Sequence, residues 1–351
     1  MTTRSKTFYV FAPASVGNFG PFYDVAGFCL EHLGDIVEAR LNETSNEARL
    51  TYIKGPYANE LTSTGISLED NNVQQVANWI WRNYATGTTP GLDLILHKYL
   101  PLNSGLGSSS ASCVATAKCV MVALGLDGDL SEKAKIDAAM QGQIRNNELE
   151  HLDNILPSFF GGVWRVGEDE FYPVKSAEFT VLTFLDEADR RSTQVQRVLV
   201  RDHLTKIMGD NNIDVSTNKL LRYFRFLSHA SMEFIHALNQ GDFESVGKLI
   251  NTEEGNFLFE ARHKSIPGLK LIKQNLMDGG AYGCAISGSG PAIFALVKSV
   301  DAAQTLRDDI IKKLSKNNLK WLISPLNRVG ARTLENVEDW YRSNCEYHNF
   351  W

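Results

Sequence analysis

A glycine- and serine-rich turn between a predicted strand and a predicted helix constrains the fold of this chain more than any other feature. Residues 92–100 partly alternate apolar and polar side chains and end at Pro101, which predicts a strand. Residues 111–124 are rich in alanine, valine, methionine and leucine and contain neither proline nor glycine, which predicts a buried helix. The turn between them, 103–110, carries two glycines and ends in three consecutive serines.

A turn of this kind predicts an anion site. Glycine lets the backbone approach a ligand closely, and the first N–H groups of a helix lack partners within the helix. The helix dipole adds a partial positive charge at the same place, which favours phosphate, and serine hydroxyls add further donors or ligands for Mg2+. The turn lacks the lysine of a Walker loop and the spacing of a dinucleotide fingerprint. Taken alone, it is equally typical of a serine-capped helix after a flexible turn.

Composition limits the classes of protein to which the chain can belong. Its 351 residues are enough for two domains, and its net charge of -6 without a basic cluster argues against a nucleic-acid partner. Five scattered cysteines without a C-x-x-C spacing predict a reducing compartment rather than disulfides or zinc. The first residues lack an apolar stretch of signal-peptide length, and the longest apolar run, 113–126, is too short for a bilayer. We therefore expect a cytoplasmic protein that does not bind membranes.

Strands and helices alternate along the rest of the chain without a strict βαβ rhythm, which predicts an α+β fold. Strands are predicted at 6–12, 179–185, 281–286, 292–297 and 320–324, and helices at 131–146, 219–239, 242–250, 268–277 and 301–316. A charged turn after residue 166 suggests a division into 1–168, 169–335 and a tail, 336–351.

Two further motifs flank the glycine- and serine-rich turn. One is the segment 12–24, which begins Ala-Pro-Ala-Ser, and the other is 283–291, which contains Ser-Gly-Ser-Gly-Pro. In this order the three motifs resemble those of the GHMP kinases, and the resemblance spans roughly residues 6–335. It implies a two-domain α+β fold with a nucleotide cleft between the domains. It also implies that the first motif contacts the substrate, the second holds the triphosphate and the third closes the cleft.

The resemblance implies ATP and Mg2+ as cofactors and assigns residues to each. For ATP these are Asn72, Pro101, Gly105, Leu106, Gly107, Ser108, Ser109, Ser110, Ser112, Gly288, Ser289 and Gly290. For Mg2+ they are Ser109 and Gln143. Asn72 corresponds to an asparagine beside the adenine.

The homoserine kinase branch of that family is the one that this chain most resembles, in four segments: 17–24, 151–162, 192–199 and Arg262 followed by the Ile-Pro-Gly of 266–268. This resemblance implies a small amino alcohol, homoserine first, as substrate. The resemblance assigns the ammonium to Asn18 and Asp24, the carboxylate to Arg197 and Arg262, and the hydroxyl end to His151. The catalytic residues that it implies are Asn154, His151 and Thr193. These types suit a zwitterion, because arginines bind carboxylates with charge-assisted hydrogen bonds and an acid binds an ammonium group. A homodimer is compatible with this assignment.

The chain departs from the family pattern at two positions. Phe22 stands where glycine is usual, and a phenylalanine there is expected to reshape the substrate pocket. Gln143 stands where the family has its Mg2+-binding glutamate, and a neutral amide binds this hard ion less well than a carboxylate; Glu148 or Glu150 could substitute. The departures leave open a kinase for another small alcohol and a non-catalytic, ligand-binding descendant with a regulatory role.

Overall fold

The computed structural model of the chain describes residues 6–22, 24–144, 151–167, 170–175, 178–187, 190, 195, 198–199, 201–202, 205–206, 219–252, 266, 268–314 and 319–351. The strands are β1 (Thr7–Gly17), β2 (Ala26–Asn42), β3 (Ala48–Lys54), β4 (Gly91–His97), β5 (Val163–Val166), β6 (Phe171–Val174), β7 (Thr180–Asp186), β8 (Gly283–Ile286), β9 (Ile293–Val297), β10 (Leu319–Pro325) and β11 (Arg332–Leu334). The helices are α1 (Ala58–Thr62), α2 (Asn72–Tyr84), α3 (Ser108–Ala123), α4 (Glu132–Ile144), α5 (Leu152–Phe160), α6 (Lys219–Gln240), α7 (Phe243–Asn251), α8 (Leu269–Asp278), α9 (Val300–Leu314) and α10 (Val337–Asn344). The mixture of helices and sheets confirms the predicted fold class. None of the helices in these ranges is both long and apolar enough to cross a membrane.

The larger sheet has seven strands and carries the first two motifs. Its main path is β11–β1–β2–β4–β3, with β5 paired to β2 and β6 paired to β5. The long antiparallel pair β1–β2 changes register between Pro13 and Ser15, next to the site described below. Among the paired strands of the described residues, β3–β4 alone is parallel. Helices α2 to α5 share one apolar core with this sheet.

The smaller sheet is antiparallel, in the order β10–β7–β9–β8, and supplies the third motif in the turn between β8 and β9. A second apolar core joins the two sheets, because Phe19 and Phe28 from the first motif region pack edge-on against Phe294 of β9. Strands β6 and β11, from 171–174 and 332–334, both belong to the larger sheet. The division at residue 168 stays a prediction.

Helix α3 begins three residues earlier than its apolar run predicts. Gly107 stands at the N-cap in the left-handed region, with φ of 65°, and Ser108, Ser109 and Ser110 form the first turn. Serine is a poor helix former in the middle of a helix but is tolerated in the first turn, where backbone groups are unpaired. The three serines are therefore part of the helix and form its first turn.

Candidate active site

A cavity of about 320 Å3 lies between the elements of the two sheets. Its wall comes from the end of β1, the segment between α1 and α2, the turn from β4 to α3, the starts of α3 and α5, and the turn between β8 and β9. Most of the predicted site residues line it: Asn18, Asn72, Gly105, Gly107, Ser108, Ser109, Ser110, Ser112, Gln143, His151, Asn154, Gly288 and Ser289. The structure thus brings residues from all three motifs together.

Pro101, Leu106 and Gly290 are the predicted nucleotide residues that do not line the cavity. Pro101 and Leu106 are buried behind the turn, where Leu106 belongs to the core that joins the two sheets. Its carbonyl accepts a hydrogen bond from the backbone N–H of Ser15 at 3.1 Å. Pro101 and Leu106 therefore support the turn by packing in the interior, without lining the cavity.

The glycines of the turn are required by close packing as well as by backbone conformation. Gly105 has φ of 81°, and a Cβ atom on it would lie 2.2 Å from the carbonyl oxygen of Ser287. Gly107 has φ of 65°, and a Cβ atom there would lie 2.1 Å from the Ser15 hydroxyl oxygen. Both distances are far below a van der Waals contact. The turn can therefore approach its neighbours only because these side chains are absent.

The turn between β8 and β9 is hydrogen-bonded directly to the other two motifs. The Ser287 hydroxyl donates to the Gly105 carbonyl at 2.7 Å, and the Ala292 N–H donates to the Ser104 carbonyl at 3.0 Å. The Gly288 N–H donates to the carbonyl of Gly17, the last residue of β1, at 2.7 Å. The third motif therefore holds the turn 103–110, called the phosphate turn below, against the end of β1.

A buried ion pair supports the first turn of α3 from below. The Lys98 ammonium bonds to the Asp35 carboxylate, to the Ser112 hydroxyl at 3.0 Å and to the Ser108 carbonyl at 3.2 Å. Asp35 also accepts from Ser112 at 2.6 Å and from the backbone N–H groups of Tyr99 and Leu100. Lys98 is only 2% exposed, yet it lines the cavity. Sequence reasoning missed both members, although a charged residue inside the apolar pattern of 92–100 was the available signal.

Of the residues predicted to bind the acceptor, Asn18, His151 and Asn154 line the cavity, whereas Asp24 does not. The Asn18 side-chain oxygen accepts from the Asp24 N–H at 2.6 Å and so shapes the loop after β1. Ligand atoms of Asp24, His151 and Asp153 all lie within 4.8 Å of one another. Asn154 accepts a hydrogen bond from the Ser15 hydroxyl at 2.9 Å, which orients its amide. Asp153 and Ser15 were not predicted as site residues.

The surroundings of Asp153 favour the protonated form of its carboxyl group. Burial and, after it, the neighbouring charge of Asp24 raise the pKa of Asp153 to about 8. Asp153 is 1% exposed, and its Oδ2 atom has no hydrogen-bond partner among the described residues. A cationic group beside Asp153 would therefore favour the ionised form of its carboxyl group.

Gln143 is fully buried at the end of α4 and connects the two ends of the cavity. Its Nε2 atom lies 2.7 Å from the hydroxyl oxygen of Ser110, and its Oε1 atom accepts from the backbone N–H of His151 at 3.1 Å. The Gln143 side chain thus joins the first turn of α3 to the start of α5.

The ring of Phe22 does not line the cavity, contrary to the expectation that it reshapes the substrate pocket. It is fully buried and stacks obliquely on Phe234 of α6, with ring centroids 4.2 Å apart, and contacts Phe19 at 5.5 Å. The apolar ring is more stable in this aromatic core than beside a polar cavity. Phe22 therefore packs the loop after β1 against α6.

Five predicted positions lie outside the described part of the chain. Thr193, Arg197 and Arg262 lie outside the described residues, as do Glu148 and Glu150. Their assignments stay predictions from the sequence.

Comparison with known proteins identifies the family. Residues 71–162 match the GHMP kinases N terminal domain, and residues 234–316 match the GHMP kinases C terminal region. A homoserine kinase of Pyrococcus furiosus is 30% identical over 291 residues, which cover 82% of this chain and 87% of that protein. The chain belongs to the GHMP kinase family.

Other GHMP kinases extend the likeness over nearly the whole chain. A homoserine kinase of Arabidopsis thaliana is 28% identical over 337 residues, covering 93% of this chain and 84% of that protein. The crystal structure of a homoserine kinase from Cytophaga hutchinsonii superposes with a TM-score of 0.77 at 26% identity, covering 95% of this chain and 99% of the other. The predicted GHMP kinase fold and ATP-dependent phosphotransferase with an alcohol acceptor are confirmed.

Proposed function

We propose that this GHMP kinase transfers the terminal phosphoryl group of ATP to the side-chain hydroxyl of homoserine. The observation that carries the proposal is one cavity with two chemically different ends. A glycine turn feeds a helix N-terminus in one part of its wall, and His151 and Asn154 form another part; the Asp24 and Asp153 carboxyl groups lie just outside the lining, within 4.8 Å of a ring nitrogen of His151. The homoserine kinases among the relatives support the choice of acceptor.

At the phosphate turn, neutral hydrogen-bond donors and the dipole of α3 suit the phosphate groups of ATP. Gly105 and Gly107 permit close approach, and the N–H groups and hydroxyls of Ser108, Ser109 and Ser110 face the cavity. The lining described here carries no carboxylate, and its one ammonium is that of Lys98. Beyond the turn, Leu61, Ile66 and Leu102 offer apolar surface for a purine, and Asn72 remains the predicted adenine-side residue.

The acceptor end fits the ammonium and hydroxyl of an amino alcohol. The neighbouring carboxyl groups of Asp24 and Asp153 attract one ammonium group, and binding that cation favours the ionised form of Asp153, whose pKa is raised by burial and by the charge of Asp24. Asn154, held by Ser15, orients the hydroxyl toward the phosphate turn. The predicted contacts of Arg197 and Arg262 with the substrate carboxylate belong to this proposal.

Positioning and charge neutralisation supply the catalysis. The hydroxyl oxygen forms a bond to the terminal phosphorus as the bond from that phosphorus to ADP breaks, a reaction that needs little covalent help from the protein. Asn154 is an amide and orients the hydroxyl without removing its proton, which passes to water or to a phosphate oxygen as the phosphoryl group is transferred. His151 lies beside it at the start of α5.

The donors at the predicted Mg2+ position do not fit a magnesium ion. Mg2+ is bound in proteins through one or two carboxylates together with phosphate oxygens and water. Ser109 accepts a hydrogen bond from Asn72 at 2.7 Å, and both ends of the Gln143 amide are already bonded. We therefore derive no step through a metal at these residues. The cytoplasmic location, the homodimer and the lack of a nucleic-acid partner stay predictions.

The test is ATP consumption with L-homoserine and a panel of other small alcohols. Homoserine should be the best acceptor, and Arg262→Ala should weaken homoserine binding by about 1.5–3 kcal/mol while ATP affinity hardly changes. If an alcohol without an amino group is phosphorylated better than homoserine, that alcohol is the substrate. ATP binding without turnover of any alcohol would indicate the non-catalytic descendant.

A further inference from the structure

The Gln143 side chain fixes the direction of a hydrogen bond at the phosphate helix. A backbone N–H can only donate, so the atom of Gln143 that faces the His151 N–H at 3.1 Å must be the oxygen. The amide nitrogen must then face Ser110, where it lies 2.7 Å from the hydroxyl oxygen. This nitrogen can only donate. The Ser110 oxygen is therefore the acceptor in that bond.

This direction decides what the Ser110 hydroxyl offers to the cavity. A serine hydroxyl has one hydrogen to donate, and the bond from Gln143 occupies a lone pair instead. Within the described part of the chain, the Ser110 hydroxyl hydrogen has no acceptor, and Ser110 lines the cavity although it is 3% exposed. A carboxylate at position 143 would reverse the bond, because it would accept from both the serine hydroxyl and the His151 N–H. Ser110 would then present only lone pairs to the cavity.

We propose that Gln143 is a positioning residue that makes Ser110 a hydrogen-bond donor to a nucleotide phosphate, so that nucleotide binding at this helix does not depend on a metal ion. The inference rests on the proposed nucleotide site and adds the direction of one bond within it. It also explains why the donors at Ser109, Ser110 and Gln143 do not suit Mg2+. Hydroxyl hydrogens and N–H groups are aimed at an anion, whereas a cation requires lone pairs.

The experiment measures ADP affinity by titration calorimetry in EDTA and again in excess Mg2+. Ser110→Ala should weaken ADP binding in EDTA by about tenfold to a hundredfold, the loss expected for a hydrogen bond to a charged group. Gln143→Glu should weaken it at least as much in EDTA, yet should gain more affinity than the wild type when Mg2+ is added. Ser158→Ala is the matched control, because this buried serine donates to the Pro13 carbonyl away from the cavity and should not change ADP affinity.

Two results would overturn the inference, and they are distinguishable. If the wild type binds ADP in EDTA and Ser110→Ala binds it equally well, the bond direction has no role and the nucleotide site stands. If the wild type binds ADP neither in EDTA nor in Mg2+, the nucleotide site itself is wrong, and the inference falls with it. Thermal unfolding of each variant checks that both substitutions leave the protein folded, and Gln143→Glu preserves the side-chain shape.

Discussion

Replacing Gly107 by alanine tests whether the phosphate turn and the acceptor site are packed as one unit. The left-handed conformation at φ of 65° is unfavourable for alanine by about 1–2 kcal/mol. A Cβ atom would also lie 2.1 Å from the Ser15 hydroxyl oxygen and 3.1 Å from the Asn154 side-chain oxygen. Ser15 must then move and give up its hydrogen bond to Asn154, a loss of about 0.5–1.5 kcal/mol. Together these effects predict a destabilisation of roughly 1.5–3.5 kcal/mol.

Gly125 provides the matched control at the other end of the same helix. Its φ is 74°, and a Cβ atom there would meet nothing within 4 Å. Gly125→Ala should therefore lose only the conformational part, about 1–2 kcal/mol, and should keep full turnover. Gly107→Ala should in addition lower turnover, because Asn154 no longer has its partner.

Urea unfolding of Gly107→Ala, Ser15→Ala and the double variant measures the crowding directly. The double variant should be less destabilised than the sum of the single variants by about 0.5–1.5 kcal/mol, because the same hydrogen bond is lost only once. Strict additivity, or equal stability and turnover of Gly107→Ala and Gly125→Ala, would refute the close packing described here.

Two other features of the acceptor end lead to testable expectations. The pKa of Asp153 is raised from 3.8 to about 8 on folding, so its contribution to stability is full below pH 4 and is lost as pH rises toward 8. Asp153→Asn should flatten the fall in melting temperature between pH 5 and 8. The control Asp242→Asn, at an exposed N-cap, should not. If the melting temperature of Asp153→Asn falls with pH as steeply as that of the wild type, Asp153 is ionised throughout this range. Phe22→Ala should destabilise the protein by about 3–5 kcal/mol in urea unfolding, because the ring packs on Phe234. The order of preferred acceptors should not change. A changed order at constant stability would place the ring in the substrate pocket.

The phosphate turn could be predicted from the sequence because its chemistry is local. A strand, two glycines and a helix start follow one another within 20 residues, and the structure confirms each of them at 91–97 and 108–123. The start of the helix predicted at 131–146 is equally local, since the Ser131 hydroxyl accepts from the Ala134 N–H at 3.2 Å. Short-range signals of this kind depend only on neighbouring residues.

The supporting network could not be predicted, because it depends on partners far apart in the chain. Strand β2 contains two glycines and the buried acids Asp35 and Glu38, a composition that argues against a central strand. Asp35 is stable there because Lys98, 63 residues later, neutralises it, and Glu38 because His97 and Arg40 bond to it. Similarly, Phe22 was assigned to the pocket because nothing in the local sequence points to Phe234.

The acceptor site owes its geometry to glycines that touch no ligand. A Cβ atom on Gly17 would lie 2.1 Å from the Asp153 carboxylate, and one on Gly27 would lie 1.7 Å from the Asp153 carbonyl oxygen. The first turn of α5 therefore rests directly on the backbone of β1 and β2. This contact excludes water from Asp153 and raises its pKa, and it also places Asn154 within reach of Ser15 at 2.9 Å. Side chains at positions 17 and 27 would displace α5, so the raised pKa of Asp153 and the orientation of the Asn154 amide follow from one packing contact.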